Sequence, residues 1–376
     1  MLGDQLAKVG ISVLVYQRTH SAALTAITFA MTLLPDLLAG PLLAPLADRF
    51  PRRTVMVTCA AVQAALAATR AVPGLPIAAI AVLVAMIAAG QAPYKAAQAA
   101  VVRDVLDRGM VKSGQVRLTM IREAGQLVGL GGAAAIVGLV GPSTAVVLDA
   151  VSFALAAALV RFGVTRKPAP ARVARNDGRR CGLRIIQGDR RLRALTWLAL
   201  AGSMTILPDA VIVPLTREAG APNWVVGPLL AADSVGFLVA ARVVDRYCSP
   251  ARQRGLIGAL AMLSLLALVP FVLRPGPIAI GALLAVSGAG ASYLPLLRGE
   301  VVELAPDEVL GAVTGWIRTA LRAGQGAAAL LAGALAQWLD SGALAVGLAG
   351  LVAAACAGAA ARSWQRSRTS TAAGIA

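Results

Sequence analysis

Residues 46–53 read Leu-Ala-Asp-Arg-Phe-Pro-Arg-Arg and connect the end of one long apolar segment, 21–47, to the start of another, 54–72. Three arginines and a proline within this stretch are typical of a short, positively charged turn. The apolar segment that follows has nearly the ~20 residues that a helix needs to cross the hydrocarbon core of a bilayer. The stretch therefore indicates a basic loop that joins two membrane-spanning helices.

The composition of the whole chain also favours a membrane protein. Of its 376 residues, 58% are hydrophobic and 14% are charged, whereas a soluble domain has roughly 45–50% apolar and about 25% charged residues. A net charge of +17 would suggest nucleic acid as the partner of a soluble protein, but only 4% of the residues are aromatic. The basic residues also lie between apolar segments and do not form a stripe on one helix. We therefore expect contact with the lipid bilayer and no binding of nucleic acid.

The chain contains twelve apolar segments. They run 2–16, 21–47, 54–72, 76–98, 116–140, 143–162, 193–215, 223–241, 255–273, 277–297, 312–338 and 342–361. Short Gly-Pro turns separate several of them, so consecutive helices are expected to be antiparallel neighbours. The first segment would reach only about 24 Å as a helix, less than the ~30 Å core. The sequence predicts an all-α integral membrane protein of twelve helices, the first N-terminally short through a mis-assigned start or a truncation.

The distribution of basic residues predicts the orientation in the membrane. When alternate loops are assigned to opposite sides, one side holds 26 Lys and Arg residues. The loops of the other side hold Arg18, Arg70, Arg217 and Arg274. Because basic loops face the cytoplasm, this asymmetry places both termini there, in a multi-pass protein of the cell membrane.

An internal repeat relates the two halves of the chain. Asp36 precedes the Asp-Arg pair at 48–49 by twelve residues, and Asp233 precedes the Asp-Arg pair at 245–246 by the same distance. The two sets are 197 residues apart. This spacing predicts a duplication of six helices.

A second pair of motifs supports the duplication and its boundaries. Met-Ile-Arg at 120–122 is echoed by Trp-Ile-Arg at 316–318 at nearly the same separation. The predicted organisation is an N-terminal six-helix bundle (1–163), a basic cytoplasmic linker (164–192), a C-terminal six-helix bundle (193–363) and a cytoplasmic tail (364–376). Two parallel six-helix repeats are the architecture of major facilitator transporters, in which the substrate site lies at the repeat interface near the midplane.

Several short motifs make the resemblance to a family more specific. They are Gly3-Asp4-Gln5, Leu14-Val15-Tyr16, Thr19-His20-Ser21, Leu34-Pro35, the loop 46–53, residues 149–153 (Asp-Ala-Val-Ser-Phe) and residues 306–311 (Pro-Asp-Glu-Val-Leu-Gly). This set resembles the drug:proton antiporter branch of the major facilitator superfamily, which includes macrolide and siderophore exporters. The resemblance implies a secondary transporter that exports small amphipathic compounds in exchange for protons.

The loop 46–53 resembles the superfamily's G-x-L-A-D-R-x-G-R-R motif, with Ala44 and Pro51 at the glycine positions. The resemblance implies a cytoplasmic gate motif made of Asp48, Arg49, Arg52 and Arg53, with Asp245 and Arg246 as its counterpart in the second half. A carboxylate at a helix end can pair with arginine or with the positive N-terminus of another helix. The alternative is that Arg52 and Arg53 only orient the helix through the positive-inside rule.

Charged residues inside the apolar segments are the candidates for proton coupling or gating, because each costs ~2.5–3.5 kcal/mol at the bilayer centre without a partner, a cavity or a proton. The candidates are Asp4, Asp36, Arg122, Glu123, Asp149, Asp209 and Asp233, and Arg318 and Arg322 are also intramembrane charges. Asp36 and Asp4 are the first choices, since both lie in motifs shared with the antiporter branch. Arg122 and Glu123 could instead neutralise each other as a structural pair. Asp149 and Asp209 lie nearer helix ends and could be interfacial.

Two further patterns concern helix packing and the membrane interface. Gly125, Gly129 and Gly132 fall on one helical face, which favours close approach of a neighbouring helix. In the antiporters this segment often carries a Gly-Pro-rich stretch, and here Leu130 takes the place of a proline. Tryptophans near predicted helix ends are typical of an interfacial belt; they are Trp197, Trp224, Trp338 and Trp364.

The sequence argues against an enzyme and against a cofactor. The four cysteines show no C-x-x-C spacing, and a single histidine, His20, cannot form a His-based metal cluster or a Ser-His-Asp array. No phosphate-binding G-x-x-x-x-G-K-[ST] stretch is present. We expect no metal and no cofactor, with a small-molecule substrate and protons as ligands of a monomer. The alternatives are a metabolite facilitator or importer of the same fold, and a truncated membrane protein that does not transport.

Overall fold

The computed structural model describes residues 2–33, 35, 50–72, 75–105, 125, 144, 146–165, 178–305 and 310–372, without the side chains at 2–10, 99–100, 102–105, 178–182, 223, 310–311 and 367–372. The regular elements in these ranges are helices, with no strand among them. The chain divides into two compact units: unit 1 comprises Met1–Val173 and Asn223–Pro228, and unit 2 comprises Ala174–Pro222 and Leu229–Ala376.

Unit 1 contains five helices within the described ranges: α1 (Leu2–Thr19), α2 (Ala22–Ala30), α3 (Arg52–Arg70), α4 (Ile77–Val105) and α5 (Val146–Gly163). His20 joins α1 to α2 in the left-handed conformation, with φ 49°. Ser21 caps α2, because its side chain accepts a hydrogen bond from the Leu24 N–H at 3.2 Å. This two-residue turn returns the chain at once, so α1 and α2 pack as antiparallel neighbours.

Close packing of α3 on α4 depends on a small residue and a polar one. The Gln63 side chain is buried and donates a hydrogen bond from Nε2 to the Ile87 carbonyl at 2.9 Å. Gly90 leaves room for it, because a Cβ there would lie 3.2 Å from that nitrogen. The amide is therefore satisfied inside an apolar helix pair, where an unpaired polar group would be costly.

Unit 2 contains most of the remaining helices. They are α6 (Gly178–Gly188), α7 (Arg190–Gly202), α8 (Leu207–Ala210), α9 (Ile212–Glu218), α10 (Val226–Tyr247, whose first three residues are assigned to unit 1), α11 (Pro250–Leu266), α12 (Pro277–Ala291), α13 (Tyr293–Leu304), α14 (Leu310–Trp338) and α15 (Gly342–Ala372). One of its core clusters joins α7 to α11, α13, α14 and α15 through buried side chains that include Leu192, Ile257, Leu297 and Trp364.

Six helical stretches are long and apolar enough to cross a membrane in the described part of the chain, or up to seven if one bent pair is counted as a span. The six are Ile77–Gln98, Val146–Gly163, Val226–Tyr247, Pro250–Leu273, Pro277–Leu304 and Gly342–Arg366. The predicted all-α, multi-pass membrane fold is confirmed. The predicted total of twelve helices and the predicted domain boundaries stay predictions.

The segment predicted to run unbroken from 193 to 215 is interrupted. Its two parts, Arg190–Ala210 and Ile212–Glu218, differ in direction by 53°. A 3₁₀ turn at Ser203–Ile206 precedes Pro208, which has no N–H to bond back to the helix, and Val211 leaves the helical region with φ −120° and ψ 20°. We call residues 190–218 the broken segment.

The predicted solvated linker is partly helical. Helix α6 lies within it, and Ile186 is buried in the core of unit 2 together with Leu192 and Leu195. The sequence predicted a solvated linker because arginines dominate the composition of this stretch, although α6 also has an apolar face. Asp189 then starts α7 as its N-cap, with Oδ1 accepting the Arg191 N–H at 2.7 Å.

The expected tryptophan belt is right in part. Trp197, Trp224 and Trp338 are strongly exposed, as interfacial residues would be. Trp364 contradicts the expectation, because it is buried in unit 2 and donates its indole N–H to the Arg254 carbonyl at 3.3 Å. Helix α15 continues past residue 361, where the apolar segment ends, so Trp364 still lies on its packed face.

Candidate functional site

Several predicted site residues lie outside the described ranges. They are Asp36, Asp48, Arg49, Arg122, Glu123, Gly129 and Gly132. Asp4 lies in α1, but its side chain is not among those described, and Gly125 is helical and half-buried. The roles assigned to these residues stay predictions, and the geometry below comes from the remaining candidates.

Of the gate motif in unit 1, the structure describes its two last arginines. Arg52 is the first residue of α3 and is half-buried. Arg53 donates a hydrogen bond from its guanidinium to the carbonyl of Arg161, near the C-terminal end of α5. Carbonyls at the end of a helix carry partial negative charge, so an arginine there is stabilising. Arg53 thus ties the start of α3 to the end of α5.

Asp149 forms a buried ion pair with Arg70. The Arg70 Nη2 and Asp149 Oδ2 atoms are 2.6 Å apart, and the two side chains are 4% and 1% exposed. The alternative that Asp149 lies at the membrane interface stays a prediction, since the side chain is buried within the protein but lies near the start of its helix. Arg70 was not among the predicted site residues, since the loop count had assigned it to a solvated turn. The pair joins the end of α3 to the start of α5.

Asp209 lies within the broken segment. Its side chain is half-buried in the short helix α8. Two other polar residues of the broken segment, Ser203 and Thr216, are fully buried. The Thr216 hydroxyl donates to the Ile212 carbonyl at 2.6 Å. Gly324 of α14 faces Ser203 so closely that a Cβ would lie 2.2 Å from its Oγ. The 3₁₀ turn is therefore held directly against α14.

Asp233 lies in α10 where this helix touches α12 backbone to backbone. A Cβ at Gly288 would lie 1.9 Å from the Asp233 carbonyl oxygen, and a Cβ at Gly236 would lie 1.9 Å from the Ala285 carbonyl oxygen. Both positions require glycine, because such distances cannot be relieved by a rotamer change. The half-buried Asp233 side chain therefore starts from a fixed backbone position. Asp245 and Arg246, the counterparts of Asp48 and Arg49 in the second half, are exposed at the end of the same helix.

Glu218 is a residue that the sequence did not single out. Its carboxylate accepts hydrogen bonds from the backbone N–H of Gly342, from the N–H of Ala343 at 3.2 Å and from the Ser341 hydroxyl at 2.9 Å. These groups form the N-terminus of α15, where a negative charge is stabilised. Glu218 thereby fastens the end of the broken segment to α15.

The described residues contain no group of three or more His, Cys, Asp and Glu side chains placed to hold a metal ion. What the two units offer instead is a set of carboxylates and arginines on apolar helices.

Comparison with known proteins identifies the family. Residues 1–329 match the family described as Major Facilitator Superfamily. The chain belongs to this superfamily. It is accordingly a membrane transporter for small molecules. A search of curated proteins found no match to the chain.

Solved structures of several transporters share the fold. The nucleoside transporter NupG is 13% identical with a TM-score of 0.74, over 97% of this chain and 95% of that one. A POT peptide transporter in complex with sulfate is 15% identical with a TM-score of 0.74, over 97% and 93%. A bacterial homologue of the human lysosomal transporter Spinster is 11% identical with a TM-score of 0.74, over 98% and 95%. At such low identity these likenesses establish the fold alone.

Proposed function

We propose that this major facilitator protein exports small amphipathic compounds, of the drug or siderophore kind, in exchange for protons by alternating access. The motifs of the first 55 residues support membership of the drug:proton antiporter branch. The observation that carries the proposal is a carboxyl group, Asp233, in a helix apolar enough to cross the membrane, with a sequence counterpart at Asp36 in the first repeat.

The physical reason for proton coupling lies in the cost of intramembrane charge. An ionised carboxylate near the bilayer centre costs ~2.5–3.5 kcal/mol, and a bound proton removes that charge. A carrier that alternates between the two sides of the membrane can therefore cross with the carboxyl protonated and release the proton where the pH is higher. When cargo and proton favour opposite states of the carrier, the two are exchanged.

The cytoplasmic gate motif of the first half is part of the same proposal. We infer that Asp48, Arg49 and Arg52 close the cytoplasmic side in one state and separate in the other. The bond between Arg53 and the end of α5 supports a structural role for the last arginine, since it fixes the helix from which the gate projects. A few kcal/mol from such contacts is sufficient to bias a two-state equilibrium.

The test uses everted membrane vesicles, in which an exporter moves cargo into the lumen. Vesicles with an acidified interior are expected to accumulate a radiolabelled macrolide, and Asp36→Asn or Asp233→Asn is expected to abolish most of that accumulation. Asp340→Asn is the matched control, because this carboxylate is exposed between α14 and α15 and has a left-handed backbone that asparagine tolerates.

Three results separate the possibilities. Accumulation that does not depend on the pH gradient would indicate a facilitator. Movement of cargo out of the vesicle lumen would indicate an importer. Unchanged accumulation by both variants would remove the coupling role of these carboxylates. Susceptibility profiles with macrolides and siderophores in an efflux-deficient host give the cargo range independently.

A further inference from the structure

The start of the broken segment and the helix before it expose a basic surface. Arg190 and Arg193 are exposed on α7, and Arg184 is exposed on α6, one turn before the end of that helix. Residues 178–202 contain six arginines and one acidic residue, Asp189. Positive charge is therefore in excess along this part of the chain.

Apolar side chains border the exposed arginines. Trp197 is 58% exposed on α7, and Leu183 is 37% exposed beside Arg184 on α6. Arg190, Arg193 and Trp197 occur at positions i, i+3 and i+7, so they share one face of α7. We call the three arginines, together with Leu183 and Trp197, the α6–α7 surface.

The backbone under the α6–α7 surface is held by packing. Leu192 and Leu195, on the opposite face of α7, are buried in the core of unit 2, and Ile186 of α6 is buried in the same cluster. The Arg193 Nη1 donates a hydrogen bond to the Gln187 carbonyl at 2.9 Å, which holds this guanidinium at the end of α6. The position of the surface on unit 2 therefore does not depend on its exposed side chains.

Two of the three guanidinium groups have no partner among the described residues. Arg184 and Arg190 make neither an ion pair nor a hydrogen bond within that part of the chain. The carboxylate of Asp189 accepts the backbone N–H groups of Arg191 and Leu192 as the N-cap of α7. The charges of Arg184 and Arg190 are thus available to an external group.

The positions along α7 match the layers at the boundary of a membrane. Arg190–Ala210 and Ile212–Glu218 form the bent pair that is apolar enough to be one span. Tryptophan is enriched at the level of the lipid headgroups. Along the helix axis, Arg193 lies about 6 Å and Arg190 about 10 Å from Trp197, in the direction away from the apolar part of the span. With Trp197 at the headgroup level, the long arginine side chains reach the lipid phosphates.

We propose that the α6–α7 surface binds the headgroups of anionic phospholipids, in the leaflet that the loop charges assign to the cytoplasm. Guanidinium groups donate charge-assisted hydrogen bonds to phosphate oxygens, and Leu183 and Trp197 lie between the headgroups and the acyl chains. Each arginine close to an anionic membrane strengthens binding roughly fivefold. The apolar border favours lipid over a soluble anion, which has no apolar part to contact it. The inference concerns the lipid partner and does not depend on the cargo.

Quenching of tryptophan fluorescence by dibrominated lipids measures which lipid contacts this surface. The purified protein is reconstituted in phosphatidylcholine vesicles with a minor fraction of dibrominated phosphatidylglycerol or of dibrominated phosphatidylcholine. The Trp197 signal is the difference between the unchanged protein and Trp197→Phe. We expect phosphatidylglycerol to be preferred around Trp197 by roughly fivefold or more. Salt at about 1 M should remove most of this preference, because it shortens the Debye length to ~3 Å.

Substitutions of the arginines test their role directly. Arg184→Gln combined with Arg190→Gln removes two groups that bind nothing among the described residues, so the fold should be retained while most of the preference is lost. Arg190→Lys keeps the charge and should keep most of the preference. Arg274→Gln is the matched control, because this exposed arginine lies beside Glu218 at the other end of the broken segment, and it should leave the Trp197 signal unchanged.

Trp338 provides a second reporter at a different helix end. It is 82% exposed at the end of α14, and Asp340 follows it closely in sequence. The chain has no Lys or Arg between residues 323 and 361. The signal lost in Trp338→Phe should therefore show no preference for phosphatidylglycerol. An equal preference at Trp338 and Trp197 would be a property of the whole membrane and would overturn the proposal.

The proposal also fails if Trp197 reports no preference, or if the preference survives joint replacement of Arg184, Arg190 and Arg193 with glutamine. Inorganic phosphate, compared with chloride at equal ionic strength, separates lipid from a soluble anion. A preference that persists in phosphate supports the lipid assignment. A preference that phosphate abolishes and chloride does not would assign the surface to soluble phosphate and overturn it.

Discussion

Arg70 and Asp149 are buried together, and either one alone would be costly. Their side chains are almost without solvent contact, and their charged atoms are 2.6 Å apart. Removing one partner from such a pair leaves an uncompensated buried charge, whereas replacing both with apolar residues of similar volume is often close to neutral. Most of the stability at this position therefore depends on matched charge.

We predict that Arg70→Met or Asp149→Leu alone lowers the free energy of unfolding by about 3–5 kcal/mol, and that the double variant recovers most of the loss. Unfolding by SDS in mixed micelles measures both effects. The exposed Arg252→Met provides the control and should be neutral. A double variant whose loss equals the sum of the two single losses would show that the residues do not act as a pair.

At this scale the sequence predicted the more unusual residue and missed its partner. Asp149 stands out because a carboxylate in an apolar segment needs a reason. Arg70 does not stand out, since an arginine at the end of a segment fits the loop pattern equally well. The 79 residues that separate them carry no local signal of contact. Glu218 escaped for the same reason, because its partners lie more than 120 positions away.

Among the helices, α10 and α12 have the closest contact that bears on a candidate site. Gly236 and Gly288 allow the two backbones to touch, and this contact fixes the position from which Asp233 projects. The packing logic is that of the glycine face predicted at 125, 129 and 132. The sequence did not reveal this crossing, because one glycine on each of two helices forms no periodic pattern.

We predict that Gly288→Ala destabilises the protein by about 1–3 kcal/mol and lowers transport, because the new Cβ forces α10 and α12 apart. Gly299→Ala is the matched control in α13, where a Cβ would have no heavy atom within 4 Å. It should be neutral or slightly stabilising, since alanine favours a helix over glycine. The SDS unfolding and vesicle assays report on the two variants, and equal behaviour would refute the close crossing.

Hydropathy located the helices well and their interruptions poorly. Segments 76–98 and 342–361 correspond to α4 and α15, which extend beyond them because charged residues can continue a helix out of the membrane. The broken segment was read as one span because Pro208 and Gly202 do not lower the apolar content of a window. Helix α6 was missed because arginines dominate the composition around its apolar face.

For the whole molecule, the fold class followed from the twelve segments and the repeat, and membership of the superfamily confirms it. Orientation is a separate matter, decided by where loop charges lie. The count of 26 basic residues against four predicts a cytoplasmic position for the loop between α10 and α11 and an external one for the loop before α12.

We predict that a cysteine at Gly276 is labelled by a membrane-impermeant maleimide in intact cells, whereas a cysteine at Ser249 is labelled only after permeabilisation. Both are introduced into a variant whose four native cysteines are replaced by serine. Gly276 has an ordinary extended backbone, so the substitution is not strained. The reverse labelling pattern would invert the assigned topology.

The broken segment is anchored at both ends. Residues of α7 such as Leu192 and Leu198 are fully buried in the core of unit 2, and Glu218 holds the other end to α15. Because both ends are held by contacts within unit 2, the angle between the two helical parts cannot change unless one of these contacts breaks. The 53° elbow should therefore persist through the whole transport cycle. Unit 2 would then move as one stiff piece, and the flexing that transport requires must be supplied by other parts of the chain.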